Sequence, residues 1–220
     1  MTKKINPVTP QPLGRSIPVD SNLTSRSSPV SKLKLFGCNG VNLKETIRNI
    51  PDFPKPGILF RDITTLLSDK TAFKYAVDEL TKKFKNKKIN KVVAVEARGF
   101  IFGGALAHRL GAGFVPVRKK GKLPWKTSSA TYELEYGTDT LQMHNDAIGP
   151  KDRILIVDDL LATGGTAKAV TNLVKQLKGR VTGIAFLIEL KALKGRTKLN
   201  CYTVFSLIKY YAKFKKFSRL

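Results

Sequence analysis

The chain has 220 residues, of which 42% are hydrophobic and 25% charged, a composition typical of a globular protein with enough material for one well-buried domain. No apolar run reaches the ~18 residues of a membrane-spanning helix, and two cysteines are too few for a disulfide framework, which favours a reducing compartment. The net charge of +24 favours polyanionic partners: nucleic acid, an anionic membrane or a phosphate-rich small molecule.

The first 40 residues are basic and rich in Ser, Thr and Pro, and they show no sustained apolar period. This composition predicts a disordered extension. It is also typical of an organellar transit peptide, although the prolines disfavour the amphipathic helix that such peptides use. We therefore expect a cytoplasmic protein, with an organellar location as the alternative.

Residues 41–207 show the pattern of a folded domain. The predicted helices cover residues 43–49 (capped by Asn42), 71–84, 100–110 and 166–177. The predicted strands cover residues 91–95, 113–117, 154–157, 181–190 and 202–207, and a hairpin with Gly137 near its turn spans residues 131–146. Because continuous apolar strands alternate with helices, we predict an α/β domain with a largely parallel, twisted sheet flanked by helices.

The stretch ILIVDDLLATGGT, residues 154–166, carries the clearest chemical signal. In open α/β sheets, ligands bind beyond the carboxyl ends of the strands, where this stretch runs from a predicted strand into a predicted helix. Small residues let backbone N–H groups turn around an anion, and the start of a helix adds about 0.3–1 kcal/mol of favourable interaction. The residues that would form this phosphate site, the glycine loop, are Ala162, Thr163, Gly164, Gly165 and Thr166.

Two adjacent carboxylates, Asp158 and Asp159, precede the glycine loop at the predicted strand end. They would repel a phosphate, but they could accept hydrogen bonds from a vicinal diol or hold a metal ion. The GxxxxGK[ST] and GxGxxG nucleotide motifs are absent. The combination predicts a ribose 5-phosphate pocket; the alternative is a strand end with a glycine turn and solvent-facing carboxylates.

The same stretch resembles the phosphoribosyl pyrophosphate (PRPP) signature of type I phosphoribosyltransferases, and residues 41–207 as a whole are similar to the adenine phosphoribosyltransferase family. The supporting segments are FPKPGILFRDIT, EARGFIFGGALA, VPVRKKGKLP and YELEYGTDTLQ. The resemblance implies the type I phosphoribosyltransferase fold with a small N-terminal hood and a flexible lid and hairpin. It also implies a homodimer, and Mg²⁺ held mainly through substrate and water. The implied reaction, part of purine salvage, joins adenine to PRPP to give AMP and pyrophosphate.

The resemblance also assigns roles around the phosphoribosyl group. Asp158 and Asp159 would hold the ribose hydroxyls, and the glycine loop the 5′-phosphate. Arg98 would face the pyrophosphate, and the loop before it can contain a cis peptide bond, here between Glu96 and Ala97, with Glu96 orienting backbone or metal-bound water. The basic segment at residues 118–124 is either an exposed loop or a lid over pyrophosphate, whose candidate contacts are Lys119, Lys120 and Lys122.

Adenine recognition is assigned to two further segments. Glu135 and Tyr136 match the base-proximal pair of the family, and Glu135 is the candidate general acid near adenine N7, which requires a raised pKa; the alternative is a surface hairpin. In the hood, Phe60 is either a base-stacking ring or ordinary core. Leu59 and Arg61 would read the base through their backbone, and Leu160 would cover its other face.

A catalytically silent regulator or RNA-binding protein with the same fold is the competing interpretation. The aromatic and basic residues of the C-terminal tail, residues 208–220, are compatible with contacts to nucleic acid or membrane. The basic lid, Glu135 and the hood favour the enzyme, because a nucleic-acid binder needs none of them.

Overall fold

Two sheets and four α-helices build the part of the chain that this computed structural model describes, residues 41–133 and 138–211, which lies within one unit, Cys38–Leu220. The strands are β1 (Arg48–Pro51), β2 (Leu59–Asp62), β3 (Lys91–Val95), β4 (Gly113–Lys119), β5 (Thr127–Glu133), β6 (Thr138–His144), β7 (Arg153–Leu161), β8 (Arg180–Leu190) and β9 (Val204–Tyr210). The helices are α1 (Thr64–Ser68), α2 (Lys70–Phe84), α3 (Arg98–Leu110) and α4 (Gly165–Gln176). Within these residues, no helix has the length and apolar character needed to cross a membrane.

The main sheet has the strand order β5-β6-β4-β3-β7-β8-β9. Strands β4, β3, β7, β8 and β9 are parallel, whereas β5 and β6 form the predicted hairpin and run antiparallel. The chain passes from β3 through α3 to β4 on one side, and β7 pairs with β3 on the other side. The strand order therefore reverses between β3 and β7, and the crevice at such a switch point is where open α/β sheets bind ligands. The predicted fold class is confirmed.

Alternation along the central strands divides the interior into two layers. In β3, Val92 and Ala94 join the core under α2 and α3, while Val93 and Val95 join the core under α4 and the hairpin. Both layers are needed because a parallel strand is buried on both faces. Helix α2 begins at an Asp69 cap that accepts the N–H groups of two residues, and α3 ends at the left-handed Gly111, as its position predicted.

The hood is a two-stranded antiparallel sheet in which β1 pairs with β2. The predicted helix at residues 43–49 is wrong, because residues 43–46 form a turn and β1 begins at Arg48. The Asn42 side-chain oxygen does accept the backbone N–H of Lys44 at 3.3 Å, and its amide donates to Glu45 Oε1 at 2.7 Å, so a local contact of the capping type forms. Pairing with β2 takes the following residues into a strand, and tertiary pairing outweighs a local helix signal of one turn.

Strand β7 is longer than predicted and includes Asp158 and Asp159, which together are called the Asp pair. It continues to Leu161 because its last residues pair with β8, from Asp158↔Phe186 to Leu161↔Glu189. The strand was predicted to end at Val157, just before the Asp pair, and this is wrong because β7 continues for four more residues. The pair still lies beyond the end of β3, whose pairing with β7 stops at Val157. Strand β9 likewise continues to Tyr210, so residues 208–210 belong to the sheet rather than to the basic tail. Residues 1–40, 134–137 and 212–220 lie outside the described residues.

Candidate active site

A cavity of about 300 Å³ opens at the switch point, between the carboxyl ends of β3 and β7. Its lining includes Glu96, Arg98, Lys119, Asp158, Asp159 and Thr166. Four elements (α3, β4, β7 and α4) and the connection between β3 and α3 contribute these side chains, and the sheet topology brings them together. Six of the residues that the sequence singled out thus meet in one crevice.

The glycine loop forms a second, smaller cavity of about 60 Å³ beside the first, and Asp158 lines both. Gly164 has a φ of +80°, which favours glycine, and it caps α4 without a side chain that could accept from the first helical amides. The first turn of α4 also contains no acidic residue. These amides and the positive end of the helix are therefore available to an anion.

The environment of the Asp pair disfavours the ionised form of both carboxyls. Burial raises the pKa of Asp158 well above its ordinary value, and the negative charge of Asp159 raises it further. Burial also raises the pKa of Asp159, which is 6% exposed, although the charge of Arg98 opposes this shift. Asp158 Oδ1 accepts the backbone N–H of Asp159 at 2.9 Å, which fixes its carboxylate at the floor of the crevice.

Arg98 lies at the start of α3 and connects the Asp pair to the hood. Its Nη2 lies 2.8 Å from Asp159 Oδ2, and its Cζ lies 5.1 Å from the centroid of the Phe60 ring. Asp159 Oδ2 is buried and receives no aligned hydrogen bond from any described residue. This buried oxygen therefore has unused acceptor capacity.

The next residue, Gly99, explains how α3 approaches so closely. A Cβ at this position would lie 2.8 Å from Asp158 Oδ1 and 3.3 Å from its Cα, distances that leave no room for a side chain. Gly99 was not singled out from the sequence, although its place in EARG next to Arg98 was a signal for it.

Glu96 organises the connection between β3 and the basic segment. The Glu96–Ala97 peptide bond is cis, as the resemblance implied. The Glu96 carboxylate accepts the backbone N–H of Lys119 at 2.7 Å and the Nε of Arg118 at 2.9 Å. Burial alone would raise the pKa of Glu96, but these donors and the nearby cations outweigh it and lower the pKa. Glu96 thus orients backbone, one of the two roles expected of it.

The three candidate lysines of the basic segment lie in different surroundings. Lys119 lines the larger cavity, and its Nζ lies 3.0 Å from Asp139 Oδ2. Lys122 Nζ lies 3.8 Å from Glu96 Oε2, and Lys120 is exposed. Neither Lys120 nor Lys122 is part of the described lining of the two site cavities, so only Lys119 meets the Asp pair in the crevice.

The hood residues flank the crevice rather than line it. Phe60 packs edge-to-face against Phe53 with centroids 5.1 Å apart and reaches the site through Arg98. The Arg61 guanidinium hydrogen-bonds Asn49 and lies 3.8 Å from the centroid of the Tyr210 ring, so its side chain holds the hood to β9. Leu59 opens β2 opposite Pro51, whereas Leu160 lines the smaller cavity.

The β5–β6 hairpin borders the glycine loop. A Cβ on Gly165 would lie 3.3 Å both from the carbonyl O of Glu133 and from the ring of Tyr132. Tyr132, which sequence reasoning missed, also lines the larger cavity. Glu135 and Tyr136 lie outside the described residues, but the chain enters their segment at Glu133, beside the loop.

Comparison with known proteins identifies relatives over most of the chain. A family model described as the phosphoribosyl transferase domain matches residues 64–219. The chain is 59% identical over 170 residues to an adenine phosphoribosyltransferase of Brachyspira hyodysenteriae, covering 77% of this chain and 100% of the relative. It is 58% identical to one of Clostridium kluyveri, covering 77% of this chain and 99% of the relative.

Solved structures show the same similarity in three dimensions. The adenine phosphoribosyltransferase of Thermoanaerobacter pseudethanolicus is 56% identical and superposes with a TM-score of 0.75, covering 76% of this chain and 98% of that one. The Saccharomyces cerevisiae enzyme, solved as a complex with an imino-altritol bisphosphate and adenine, is 44% identical with a TM-score of 0.71, covering 75% of this chain and 96% of that one.

Proposed function

The chain belongs to the adenine phosphoribosyltransferase family, and we propose that it transfers the phosphoribosyl group of PRPP to adenine, giving AMP and pyrophosphate. Relatives that carry this name match up to their full length at 59% identity. The observation that carries the chemistry is the meeting of the Asp pair with an anion-binding loop at one crevice, since a ribose 5-phosphate needs a diol acceptor beside a phosphate cradle.

The phosphoribosyl group would lie across the two cavities. Its 5′-phosphate would take the amides of the glycine loop and the Thr166 hydroxyl, in the cavity of about 60 Å³. Its 2- and 3-hydroxyls would donate to Asp158 and Asp159. Burial has removed water from these carboxyl groups and raised their pKa values, so hydrogen bonds from the hydroxyls would replace the lost hydration. Two contacts at opposite ends of the ribose would fix the direction of the bond to be broken.

Catalysis would consist mainly of stabilising the departing pyrophosphate. When the bond between the anomeric carbon and oxygen breaks, its electron pair leaves with pyrophosphate and the ribose ring becomes cationic. Arg98 and Lys119, both in the larger cavity, would meet the leaving group, and the Asp pair would face the cationic ring. Arg98 would then leave Asp159 and pair with pyrophosphate instead. Lys120 and Lys122, in the lid, are proposed to contact pyrophosphate from its outer side.

Adenine would bind between the hood and β7. Phe60 would stack on one face of the base, with the backbone of Leu59 and Arg61 reading its edge, and Leu160 would cover the other face. Glu135, with Tyr136 beside it, is the proposed general acid at N7. In the forward direction adenine reacts as its N7–H tautomer, so Glu135 takes the N7 proton as N9 forms its bond to the anomeric carbon. In the reverse direction Glu135 acts as the general acid and returns that proton to N7 as the N9–ribose bond breaks.

Mg²⁺ is the proposed cofactor. Among the described residues, no group of three His, Cys, Asp or Glu side chains could cage a metal ion, so the ion would be carried by the diphosphate and by water. The unused acceptor capacity of Asp159 Oδ2 suits a hydrogen bond from metal-bound water. When bound, Mg²⁺ neutralises charge on the diphosphate.

Assembly as a homodimer and a cytoplasmic location complete the proposal. Ile101 on α3 and Phe114 on β4 are 41% and 40% exposed, and apolar side chains of this size favour a covered surface. The two cysteines of the chain are too few for a disulfide framework, which suits a reducing compartment. Light scattering of the full chain should give twice the 24.4 kDa mass, and a single-chain mass would contradict the dimer.

Radiolabelled adenine with PRPP and Mg²⁺ tests the function directly, with hypoxanthine and guanine as matched alternative bases. We expect label to appear in AMP and little product from the other two bases. Formation of nucleotide from hypoxanthine or guanine alone would change the assigned base. No nucleotide from any base, together with salt-sensitive RNA binding, would support the silent regulator instead.

A further inference from the structure

The backbone of the segment that begins at Gly195 lies directly against the backbone of the glycine loop. Gly195 begins the second of two 3₁₀ turns, Lys191–Leu193 and Gly195–Leu199, which follow β8. A Cβ on Gly195 would lie 2.1 Å from the carbonyl O of Ala162 and 2.8 Å from the backbone N of Gly164. A Cβ on Gly164 would lie 2.3 Å from the carbonyl O of Gly195. The two backbones are therefore in direct contact, and Gly195 is not among the described residues that line the cavity of the glycine loop.

The neighbouring residue, Arg196, anchors this segment to the sheet. Its Nη1 donates to the carbonyl O of Val204 at 2.7 Å, and its Nη2 and Nε donate to Glu189 at 2.5 and 3.1 Å. Nη2 also lies 3.3 Å from the Ser206 hydroxyl. A bidentate guanidinium–carboxylate pair with two further acceptors fixes the segment against both β8 and β9.

The carboxylate of this pair is buried and ionised. Glu189 is 2% exposed. Burial would raise its pKa, but hydrogen bonds from Arg196 and Ser206 and the charge of Arg196 outweigh burial and lower the pKa to about 2. The pair is thus a permanent anchor at physiological pH.

We propose that Gly195 and the Glu189–Arg196 pair are positioning elements for the 5′-phosphate: the anchored segment supports the glycine loop from behind and sets the direction of its amides. The inference rests on the proposed function, because it assumes that the loop holds this phosphate. A side chain at residue 195 must displace the loop by about 1 Å to reach an ordinary contact distance, and misplacement of that size can cost about 100-fold in rate.

The support predicts a selective defect in phosphate binding. In Gly195→Ala, the KM for PRPP and the dissociation constant for AMP should each rise at least tenfold, while the KM for adenine stays within twofold. The matched control is Gly149→Ala, because a Cβ at Gly149 has nothing within 4 Å and should change none of these values. A purely structural role would lower the melting temperature and raise both KM values together.

Arg196→Lys tests the anchor and replaces Gly195→Ala as the deciding variant if that protein does not fold. It keeps the charge and loses the bidentate geometry, so the KM for PRPP should rise less than in Gly195→Ala and again without a matching rise for adenine. Unchanged KM for PRPP in the deciding variant, or equal rises for both substrates, overturns the inference. An inactive wild-type chain would instead overturn the proposed function.

Discussion

The guanidinium of Arg98 lies 2.8 Å from the carboxylate of Asp159, where α3 begins and β7 continues past the end of its pairing with β3. The same guanidinium covers Phe60 of the hood. One cation therefore connects three parts of the site: the Asp pair, the start of α3 and the hood. An anionic diphosphate would compete with Asp159 for this cation, which couples the binding of one substrate to the arrangement around the other.

Neutralising the Asp pair should separate activity from stability. In Asp158→Asn with Asp159→Asn, kcat/KM for PRPP should fall by about 100-fold or more, equivalent to about 2.7 kcal/mol, because the acceptors for the ribose hydroxyls weaken. The pKa of each carboxyl is raised in the fold, so ionisation of the pair destabilises the protein, and stability is gained as pH falls. The neutral amides should therefore leave the melting temperature unchanged or raise it by a few degrees. Wild-type turnover in the double variant would exclude the diol assignment.

Removing the Arg98 cation should weaken PRPP binding. Arg98→Gln should raise the KM for PRPP by about 10- to 100-fold, since a charge-assisted hydrogen bond contributes about 1.5–3 kcal/mol. Arg109→Gln is the matched control, because Arg109 lies on the same helix but pairs with Asp78 at the surface. Steady-state kinetics with varied PRPP measures both variants, and equal KM values in the two would remove Arg98 from the pyrophosphate site.

Glu135 is expected to act in the chemical step. Glu135→Gln should lower kcat by about 100-fold or more, the usual contribution of general acid–base catalysis, with little change in the KM for PRPP. Glu133→Gln, two residues earlier at the end of β5, is the comparison and should keep wild-type kcat. A kcat for Glu135→Gln within twofold of wild type would assign the proton transfer to another group.

The Glu189–Arg196 pair should make stability depend on acid pH. The folded-state pKa of Glu189, about 2, lies below the ordinary value of 4.5, so its contribution is complete above pH 4.5 and is lost as pH falls toward 2. The full shift corresponds to about 3 kcal/mol at 1.36 kcal/mol per pKa unit. Urea unfolding of wild type and Glu189→Gln between pH 2 and 6 measures this, and the variant should show a flatter dependence. Parallel curves would mean that Glu189 is not the titrating group.

Much of the fold was readable because local and tertiary preferences agree. The apolar run of β3 and the three- and four-residue spacing in α2 each predict an element that the sheet then buries, and their bounds were met within one residue. The helix predicted at residues 43–49 did not form, because local and tertiary preferences disagree there. A helix signal of one turn is outweighed by strand pairing with β2, which lies ten or more residues further along the chain.

In the site, too, the residues that are contiguous in sequence were predictable, whereas contacts between distant segments were not. The glycine loop and the Asp pair are contiguous in sequence, so their chemistry could be inferred from order alone. The partners of Lys119 and the contact of Gly195 with the loop join segments 20 or more residues apart, and residue spacing carries no signal for them. Arg196 follows Gly195 in a basic stretch, where its buried role is indistinguishable from that of a surface cation.

A crystal structure of the full chain with AMP is the decisive measurement. We expect the 5′-phosphate on the backbone amides of residues 162–166, the ribose hydroxyls within hydrogen-bond distance of Asp158 and Asp159, and the base beside Phe60. A phosphate bound at any other place, with the glycine loop free of contacts to it, would exclude the proposed ribose 5-phosphate site.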